Sequence, residues 1–310
     1  MTFRIRDSLL GVPIYLYRDE VAASAGESAG GCGFLYGHDL PPHLGSGHTL
    51  WAVTNKHVIE SNNWTIRLNL KAGGITCIDT DDREWIYHPR TDLAVRPLAL
   101  FQDIHKFSYL ASEWLLTEDW EKALEIGPGD PCFTIGRFIG HDGKQKNTPT
   151  TRFGQIAQID TEPIVQSGQS IDSYLVEIRS IGGFSGSPVF VYLNAAYYRP
   201  WAAGSKTGPD GSILGVGHYP TGPWLLGVNW CSVPTWETVC DASGTELPSG
   251  YKVQANSGIM GVVPARYLKE MFEPGGAAFG KLQEIEIGIA RTSATRLPTA
   301  MPTSEDSSRA

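Results

Sequence analysis

Short runs of strand-forming residues, separated by glycine and proline, recur along most of this 310-residue chain. The runs are rich in β-branched and aromatic residues, as in GCGFLYG at 31–37 and SPVFVYL at 187–193. The 35 glycines and 20 prolines supply turn residues between the runs. Many short strands with almost no long helical pattern predict an all-β protein built as a barrel or a sandwich.

Two segments have a helical pattern. TEDWEKALE at 117–125 begins with Thr117 as a candidate N-cap, has acidic residues in its first turn, and is followed by GPG. PARYLKEMF at 264–272 begins with Pro264, a residue favoured in the first helical turn, and is followed by PGG. The first segment lies midway through the predicted strands, where a connection between two barrels would fall. The second closes the series.

Charge and hydropathy argue against two classes of partner. The net charge of −8 disfavours nucleic acid, because binding phosphates requires a basic face. No run of 18 apolar residues is present, so we expect no membrane span. The apolar run near the N-terminus is short and is bounded or interrupted by Asp7, Pro13 and Arg18, which does not fit a secretory signal.

The five cysteines are few, odd in number and widely spaced. This pattern is typical of reduced, buried thiols in a cytoplasmic protein. Cys231 and Cys240 could form a disulfide if the protein were exported, and this alternative stays open. The sequence therefore predicts a cytoplasmic location.

Ser185 lies between glycines in the segment GGFSGSP, directly before a predicted strand. A tight turn that leads into a buried strand would explain this segment without any chemistry. A nucleophilic serine needs an imidazole to take its proton and a carboxylate to hold that imidazole. The best-placed candidates are His57, at the end of an apolar run in WAVTNKHVIE, and Asp92, at the start of DLAVRPL, whereas DTDD at 79–82 fits a solvated turn. The chain order His57, Asp92, Ser185 favours a catalytic interpretation of all three.

A metal site is an alternative role for the histidines of the segment 38–48. His38, His43 and His48 are evenly spaced in the segment HDLPPHLGSGH. Structural zinc sites usually place their ligands closer together and include cysteine, so a solvated loop is the favoured interpretation. The predicted chemistry requires neither a metal nor another cofactor.

The chain resembles trypsin-like serine peptidases of the chymotrypsin fold, and most of all their bacterial high-temperature-requirement (Deg/HtrA) branch. GCGFLY followed by WAVTNKHVI resembles that branch's GSGF and VTNNHVI around the catalytic histidine, and DLAVRPL resembles DIALLKI around the aspartate. GGFSGSPVF resembles the nucleophile turn GNSGGP. GPGDPCFTIGRF, LLGVNW and NSGIMGVVP resemble strands of the second barrel. The six segments follow the family's order over about residues 28–272.

This resemblance implies two six-stranded antiparallel β-barrels with a short C-terminal helix. The implied organisation has five parts: an N-terminal segment at 1–27, an N-terminal barrel at 28–116, a connection at 117–129, a C-terminal barrel with its closing helix at 130–273, and a tail at 274–310. The tail is predicted to be largely disordered, because its last residues are rich in serine, threonine and proline. We expect no PDZ-type peptide-binding domain after the peptidase segments, because the 38 residues that follow Phe272 are too few for one.

The resemblance also implies catalytic roles. Ser185 would be the nucleophile, His57 the general base, and Asp92 the group that fixes the imidazole tautomer. The backbone N–H groups of Gly183 and Ser185 would form the oxyanion hole. Two residues depart from the family pattern: Phe184 replaces a small or polar residue, and Ser187 replaces a glycine.

The same resemblance predicts a pocket for the substrate residue before the cleaved bond. Arg179 would form its floor, and the segment Gly227, Val228, Asn229 and Trp230 would form its wall. An arginine at the floor would favour an acidic substrate side chain through a charge-assisted hydrogen bond. In the alternative, Arg179 pairs with a neighbouring acidic residue or with solvent and lines nothing.

The sequence thus predicts a cytoplasmic serine endopeptidase that acts on a protein or peptide. An active protease in the cytoplasm needs restraint, so we expect narrow specificity, a regulatory partner, or gating by the insertions at 194–223 and 234–257. A trypsin-fold interaction module that has lost activity is the alternative. A lipase or esterase is disfavoured because the fifth residue of the G-x-S-x-G elbow would be Ser187.

Overall fold

The computed structural model describes residues 4–138, 143–159, 162–166, 168–178, 183–193, 206–214, 222–247 and 250–295. The strands of the N-terminal half are β1 Pro13–Tyr17, β2 Gly31–Asp39, β3 His48–Thr54, β4 Thr65–Leu70, β5 Ile75–Ile78, β6 Ile86–Tyr87, β7 Ala94–Leu98, β8 His105–Lys106 and β9 Leu110–Ala111. Those of the C-terminal half are β10 Pro131–Gly136, β11 Thr150–Gln158, β12 Ile164–Gln166, β13 Gln169–Ile171, β14 Tyr174–Glu177, β15 Pro188–Val191, β16 Lys206–Thr207, β17 Ile213–Leu214, β18 Trp224–Thr238 and β19 Lys252–Pro264. The α-helices are α1 Asp7–Leu10, α2 Glu20–Ala25, α3 Lys56–Glu60, α4 Glu118–Leu124, α5 Ala265–Phe272 and α6 Phe279–Thr295.

The N-terminal half is a nine-stranded sheet in the order β5-β4-β1-β2-β3-β7-β6, with β8 beside β4 and β9 beside β2. Strand β1 pairs with both β2 and β4, and all of its side chains are buried. The predicted boundary at residue 28 is therefore wrong. The short apolar run PIYLY is a central strand of the first sheet, because it is paired along both edges, and both of its faces are buried.

The C-terminal half is a closed barrel of six strands in the order β10-β11-β14-β19-β18-β15, and every neighbouring pair is antiparallel. This matches the predicted second barrel. The trypsin-like double-barrel fold is confirmed, with a closed six-stranded barrel in the C-terminal half and a nine-stranded sheet in place of the predicted six strands in the N-terminal half.

One hydrophobic core joins the two halves. It contains Trp51 and Val53 from β3 together with Phe133 from β10 and Val228 from β18. Helix α5 closes this core with Phe272, whose ring centroid lies 4.8 Å from that of Trp51 at an interplanar angle of 76°. Because the halves share this core, the turns at their junction are held at a fixed spacing.

Both predicted helices are present. Thr117 Oγ1 accepts a hydrogen bond of 3.3 Å from Trp120 N and caps α4, and Pro264 directly precedes α5. The prediction of a disordered tail is wrong for 279–295, which forms α6. Leu282 of this helix is buried in the shared core, so the composition of the last residues did not represent the whole tail.

The predicted insertion at 234–257 extends β18 and β19 beyond a register shift between Val233 and Pro234. Their pairing extends from Gly227↔Pro264 to Thr238↔Lys252. Of the insertion at 194–223, the structure describes the pair β16 and β17, and most of the remainder lies outside the described residues. Across the described ranges, none of the helices is both long and apolar enough to cross a membrane.

Candidate active site

His57 lies on the short helix α3 rather than at the end of a strand. The predicted strand through residue 59 is wrong, because β3 ends at Thr54. Beyond that point Asn55 Nδ2 and Lys56 N both donate to Asp92 O, at 2.9 and 3.2 Å. These contacts to a distant loop turn the backbone out of the sheet and place His57 at the first turn of the helix.

Asp92 holds His57 at two points. Its carboxylate Oδ1 accepts from His57 N at 2.9 Å, and Oδ2 lies 2.5 Å from His57 Nδ1. The Asp92 side chain is fully buried, whereas the His57 side chain is 39% exposed. A buried carboxylate at this distance favours the imidazole tautomer with its hydrogen on Nδ1. The lone pair of Nε2 is then free to accept a proton.

The turn that carries Ser185 packs against the N-terminal half. Cys32 N of β2 donates to Ser185 O at 2.8 Å. Next to Cys32, a Cβ on Gly31 would lie 2.8 Å from Val58 Cγ1 and 3.4 Å from Ser185 O. Since Val58 follows His57 in the chain, the structure brings the Ser185 turn beside α3. The hydrogen bonds of the described residues include none between Ser185 Oγ and the His57 ring.

Gly183 has a backbone conformation that favours glycine. Its φ is +90°, in a region that residues with a Cβ rarely adopt. Its carbonyl oxygen accepts a hydrogen bond of 3.3 Å from Cys32 Sγ, which in turn accepts one of 3.1 Å from Arg137 N. In the described part of the chain, the backbone N–H groups of Gly183 and Ser185 donate no hydrogen bond. Both amides are therefore available to an anionic oxygen.

Phe184, the first departure from the family pattern, anchors the turn. Its side chain is buried, with Arg152 Cζ 5.0 Å from its ring centroid. Its carbonyl oxygen accepts from Ser187 N at 2.9 Å and from Asn229 Nδ2 at 3.1 Å. Hydrophobic burial of the ring thus fixes the residue directly before Ser185.

Ser187, the second departure, is fully buried. Its Oγ has no hydrogen-bond partner among the described residues. The hydroxyl is accommodated because Gly136 of β10 lacks a side chain, and a Cβ there would lie 2.2 Å from Ser187 Oγ. The extra atoms are therefore absorbed inside the second barrel and do not reach the surface beside Ser185.

The predicted substrate pocket is only partly testable. Arg179, its proposed floor, lies outside the described residues. The four wall residues Gly227, Val228, Asn229 and Trp230 are buried in β18. Asn229 supports the Ser185 turn, since its backbone oxygen accepts from Gly186 N at 2.8 Å and its N–H donates to Ser187 O at 3.0 Å. The specificity of the pocket stays a prediction.

Of the three evenly spaced histidines, His38 and His48 lie on the paired strands β2 and β3. His48 Nε2 lies 2.9 Å from Asp39 Oδ1, and its Nδ1 lies 3.1 Å from Tyr109 OH. His38 stacks on Phe272, with ring centroids 5.0 Å apart. Among the residues that the structure describes, no three histidine, cysteine or acidic side chains are grouped as a metal site would require.

Three residues of the site were missed by the sequence analysis. Asn55 and Cys32 lie in segments used for the resemblance, and Cys231 directly follows the segment LLGVNW. Asn55 holds the Asp92 loop, and Cys32 holds the Ser185 turn. Cys231 lies near Asp92: burial, and then the negative charge of Asp92, raises the pKa of its thiol to about 12. The thiol is therefore neutral beside the carboxylate. All five cysteines are free, including Cys231 and Cys240.

Comparison with known proteins decides the family. A family model described as the trypsin-like peptidase domain matches residues 31–194, more than half of the chain. The chain belongs to the trypsin-like peptidase family. The matched range contains His57, Asp92 and Ser185.

A similar solved structure is the crystal structure of the MamO protease domain from Magnetospirillum magneticum in its apo form. The two chains are 14% identical, the match covers 86% of this chain and 98% of that one, and the TM-score is 0.44. A comparison with curated proteins finds no match.

Proposed function

We propose that this trypsin-like peptidase is a serine endopeptidase that hydrolyses peptide bonds through an acyl-enzyme. The observation that carries the proposal is the pair of contacts between Asp92 and His57, in which a fully buried carboxylate holds a half-exposed imidazole beside the Ser185 turn. A surface histidine needs no such support, whereas a general base does.

The proposed reaction uses three side chains and two amides. His57 Nε2 removes the proton from Ser185 Oγ as the oxygen attacks the substrate carbonyl carbon, and the negative charge passes to the carbonyl oxygen. The N–H groups of Gly183 and Ser185 stabilise that oxyanion, and removal of one such donor typically costs about 10²–10³-fold in turnover. His57 then donates the proton to the leaving amine. Water repeats the sequence to release the acid and restore Ser185.

The finer parts of the proposal concern restraint and substrate. We expect narrow specificity for a protein or peptide substrate, controlled by the chain around 194–223, by the β18–β19 extension, or by a regulatory partner. A preference for an acidic side chain before the cleaved bond follows if Arg179 forms the pocket floor. The cytoplasmic location stays a prediction from the cysteine pattern.

A non-catalytic interaction module is the second candidate. It is favoured by one observation, the lack of a hydrogen bond between Ser185 Oγ and the His57 ring among the described contacts. This contact is often long in peptidases without substrate and forms only in the complex. The two candidates therefore differ in whether the native protein reacts with a serine-directed electrophile.

Labelling with a fluorophosphonate probe tests the proposal. We expect the native protein to be labelled and the Ser185→Ala variant to be unlabelled, because only an activated serine attacks phosphorus at neutral pH. Ser187→Ala is the matched control, since it removes a buried hydroxyl without a partner only two residues away and should label like the wild type. Denaturation before labelling should abolish the signal. Native wild-type protein that stays unlabelled would contradict the endopeptidase proposal and favour the interaction module.

A further inference from the structure

His88 lies in the loop that delivers Asp92 to His57. It follows β6, and its backbone N–H donates to Leu93 O at 2.9 Å, which closes the loop between the two residues. Its side chain is 1% exposed. The loop carries Asp92 at its end, so its conformation sets the position of the carboxylate.

The His88 ring organises this loop through one nitrogen. Nδ1 accepts hydrogen bonds from Arg90 N at 3.2 Å and from Thr91 N at 3.0 Å. Two donors at one ring nitrogen require its lone pair, so the ring is neutral and carries its hydrogen on Nε2. The two bonds fix the backbone of the residues directly before Asp92.

The opposite nitrogen faces the C-terminal helix α5. His88 Nε2 is buried and has no hydrogen-bond partner among the described residues, and its closest carboxylate oxygen, Glu270 Oε1, lies 3.8 Å away. Glu270 is engaged by Arg90 Nη2, at 2.7 and 2.9 Å from its two oxygens. Tyr267 completes the surroundings, with its ring centroid 5.3 Å from that of His88. The positive charge of a protonated His88 ring would thus lie near the Glu270 carboxylate, which is already paired with Arg90, and near the positive charge of Arg90 itself.

We propose that His88 is a positioning residue for Asp92, and that protonation of its Nδ1 releases the loop and withdraws the Asp92 carboxylate from His57. The inference rests on the proposed endopeptidase function. A protonated Nδ1 carries a hydrogen that would oppose the N–H groups of Arg90 and Thr91, so both hydrogen bonds are lost together. The result is a site that acid switches off through a residue that does not touch the substrate.

The direction of titration agrees with the geometry. Burial lowers the pKa of His88, the charge of Glu270 opposes this shift, and Arg90 adds to it. A histidine with a lower pKa in the folded state binds fewer protons than in the unfolded state. Its contribution to stability is therefore present above the unfolded pKa of about 6.5 and is lost as the pH falls through the folded pKa.

Two substitutions separate the acceptor from the shape of the ring. In His88→Asn, Oδ1 is as many bonds from Cβ as Nδ1 of histidine, so it can accept from Arg90 N and Thr91 N but does not titrate. In His88→Phe, a ring remains but the acceptor is lost. We expect the fluorophosphonate labelling rate near neutral pH to stay within about threefold for His88→Asn and to fall about 10²-fold for His88→Phe, as for a misplaced catalytic group.

The pH profile of labelling is the readout that a merely structural role would not change. At low pH the wild-type rate should fall more steeply than the rate of His88→Asn, because protonation of His88 adds one proton to the dependence. Equally steep profiles for the two proteins, or a His88→Phe variant that labels at the wild-type rate, would overturn the inference. If His88→Phe does not fold, the wild-type and His88→Asn profiles decide.

Amide hydrogen exchange at Arg90 and Thr91 separates this inference from the proposed function. In the wild type, protection of both amides should fall with pH together with His88 protonation, and in His88→Asn it should persist. This result is independent of catalysis. Wild-type protein that is unlabelled but shows the expected exchange would reject the endopeptidase proposal and support the control of the loop by His88. Protection of the two amides that does not depend on His88 protonation would reject the inference alone.

Discussion

Replacement of Asp92 by asparagine is expected to lower the rate constant of fluorophosphonate labelling about 10⁴-fold while the fold is retained, a loss like that of turnover when a triad aspartate is replaced. Asp92 uses both oxygens as acceptors, one for His57 N and one for His57 Nδ1. Asparagine offers one acceptor and one donor in the same volume. If the asparagine oxygen still accepts the hydrogen bond from His57 N, its NH₂ group faces Nδ1. The imidazole hydrogen then has to lie on Nε2, and Nε2 can no longer accept the proton of Ser185.

The measurement is the rate constant of fluorophosphonate labelling as a function of pH, together with unfolding in urea. Asp79→Asn is a suitable control, because Asp79 Oδ1 accepts from Thr65 Oγ1 at 2.8 Å within the first sheet and does not contact His57. We expect this control to label within about twofold of the wild type, in line with a partly exposed polar contact. An Asp92→Asn variant within tenfold of the wild type would show that the His57–Asp92 pair does not drive the reaction.

The second barrel could be predicted because several of its strands come from apolar runs bounded by turn residues. The runs around β10, β15 and β18 fulfil this condition, and their order matches the family's order. The order of His57, Asp92 and Ser185 was accessible for the same reason. A collinear series of segments constrains the topology, whereas each residue alone does not.

The wrong secondary-structure predictions have a common physical cause: contacts between distant segments override the local sequence pattern. WAVTNKHVIE alternates like a strand, yet the chain leaves the sheet where Asn55 and Lys56 bond to Asp92 O. PIYLY is too short to predict as a central strand without knowledge of β2 and β4 on either side. Helix α6 follows a glycine-rich turn and precedes a disordered-type composition, and it is anchored by Leu282 in a core that the sequence alone does not show.

The support of the nucleophile turn could not be predicted at all. Cys32 and Gly183 are separated by 151 residues, and no spacing rule connects a thiol in the first strand run with a carbonyl in the second barrel. His88 and Glu270 are similarly remote. The residues with proposed catalytic roles were found from motifs, whereas those that hold them in place emerged only from the packing of the two halves.

Gly186→Ala should lower the free energy of unfolding by more than about 3 kcal/mol, because it combines backbone strain with a clash against the other half of the molecule. The φ of Gly186 is +86°, and a Cβ there would lie 2.0 Å from Cys32 O and 2.5 Å from Thr54 Oγ1. Cys32 O is backbone of β2 and cannot move aside as a flexible side chain would. The turn must therefore shift away from β2 and weaken the 2.8 Å bond from Cys32 N to Ser185 O.

Gly244→Ala is the matched control for the strain alone. Its φ is +83°, but a Cβ there meets no atom within 4 Å. We expect a cost of about 1 kcal/mol, the usual penalty for alanine in a left-handed conformation. Urea unfolding of both variants measures the difference, and labelling measures whether the Gly186→Ala turn still presents Ser185. Equal losses in the free energy of unfolding for the two substitutions would show that the Ser185 turn has room to move away from β2. The close approach of the two halves would then not determine the position of Ser185.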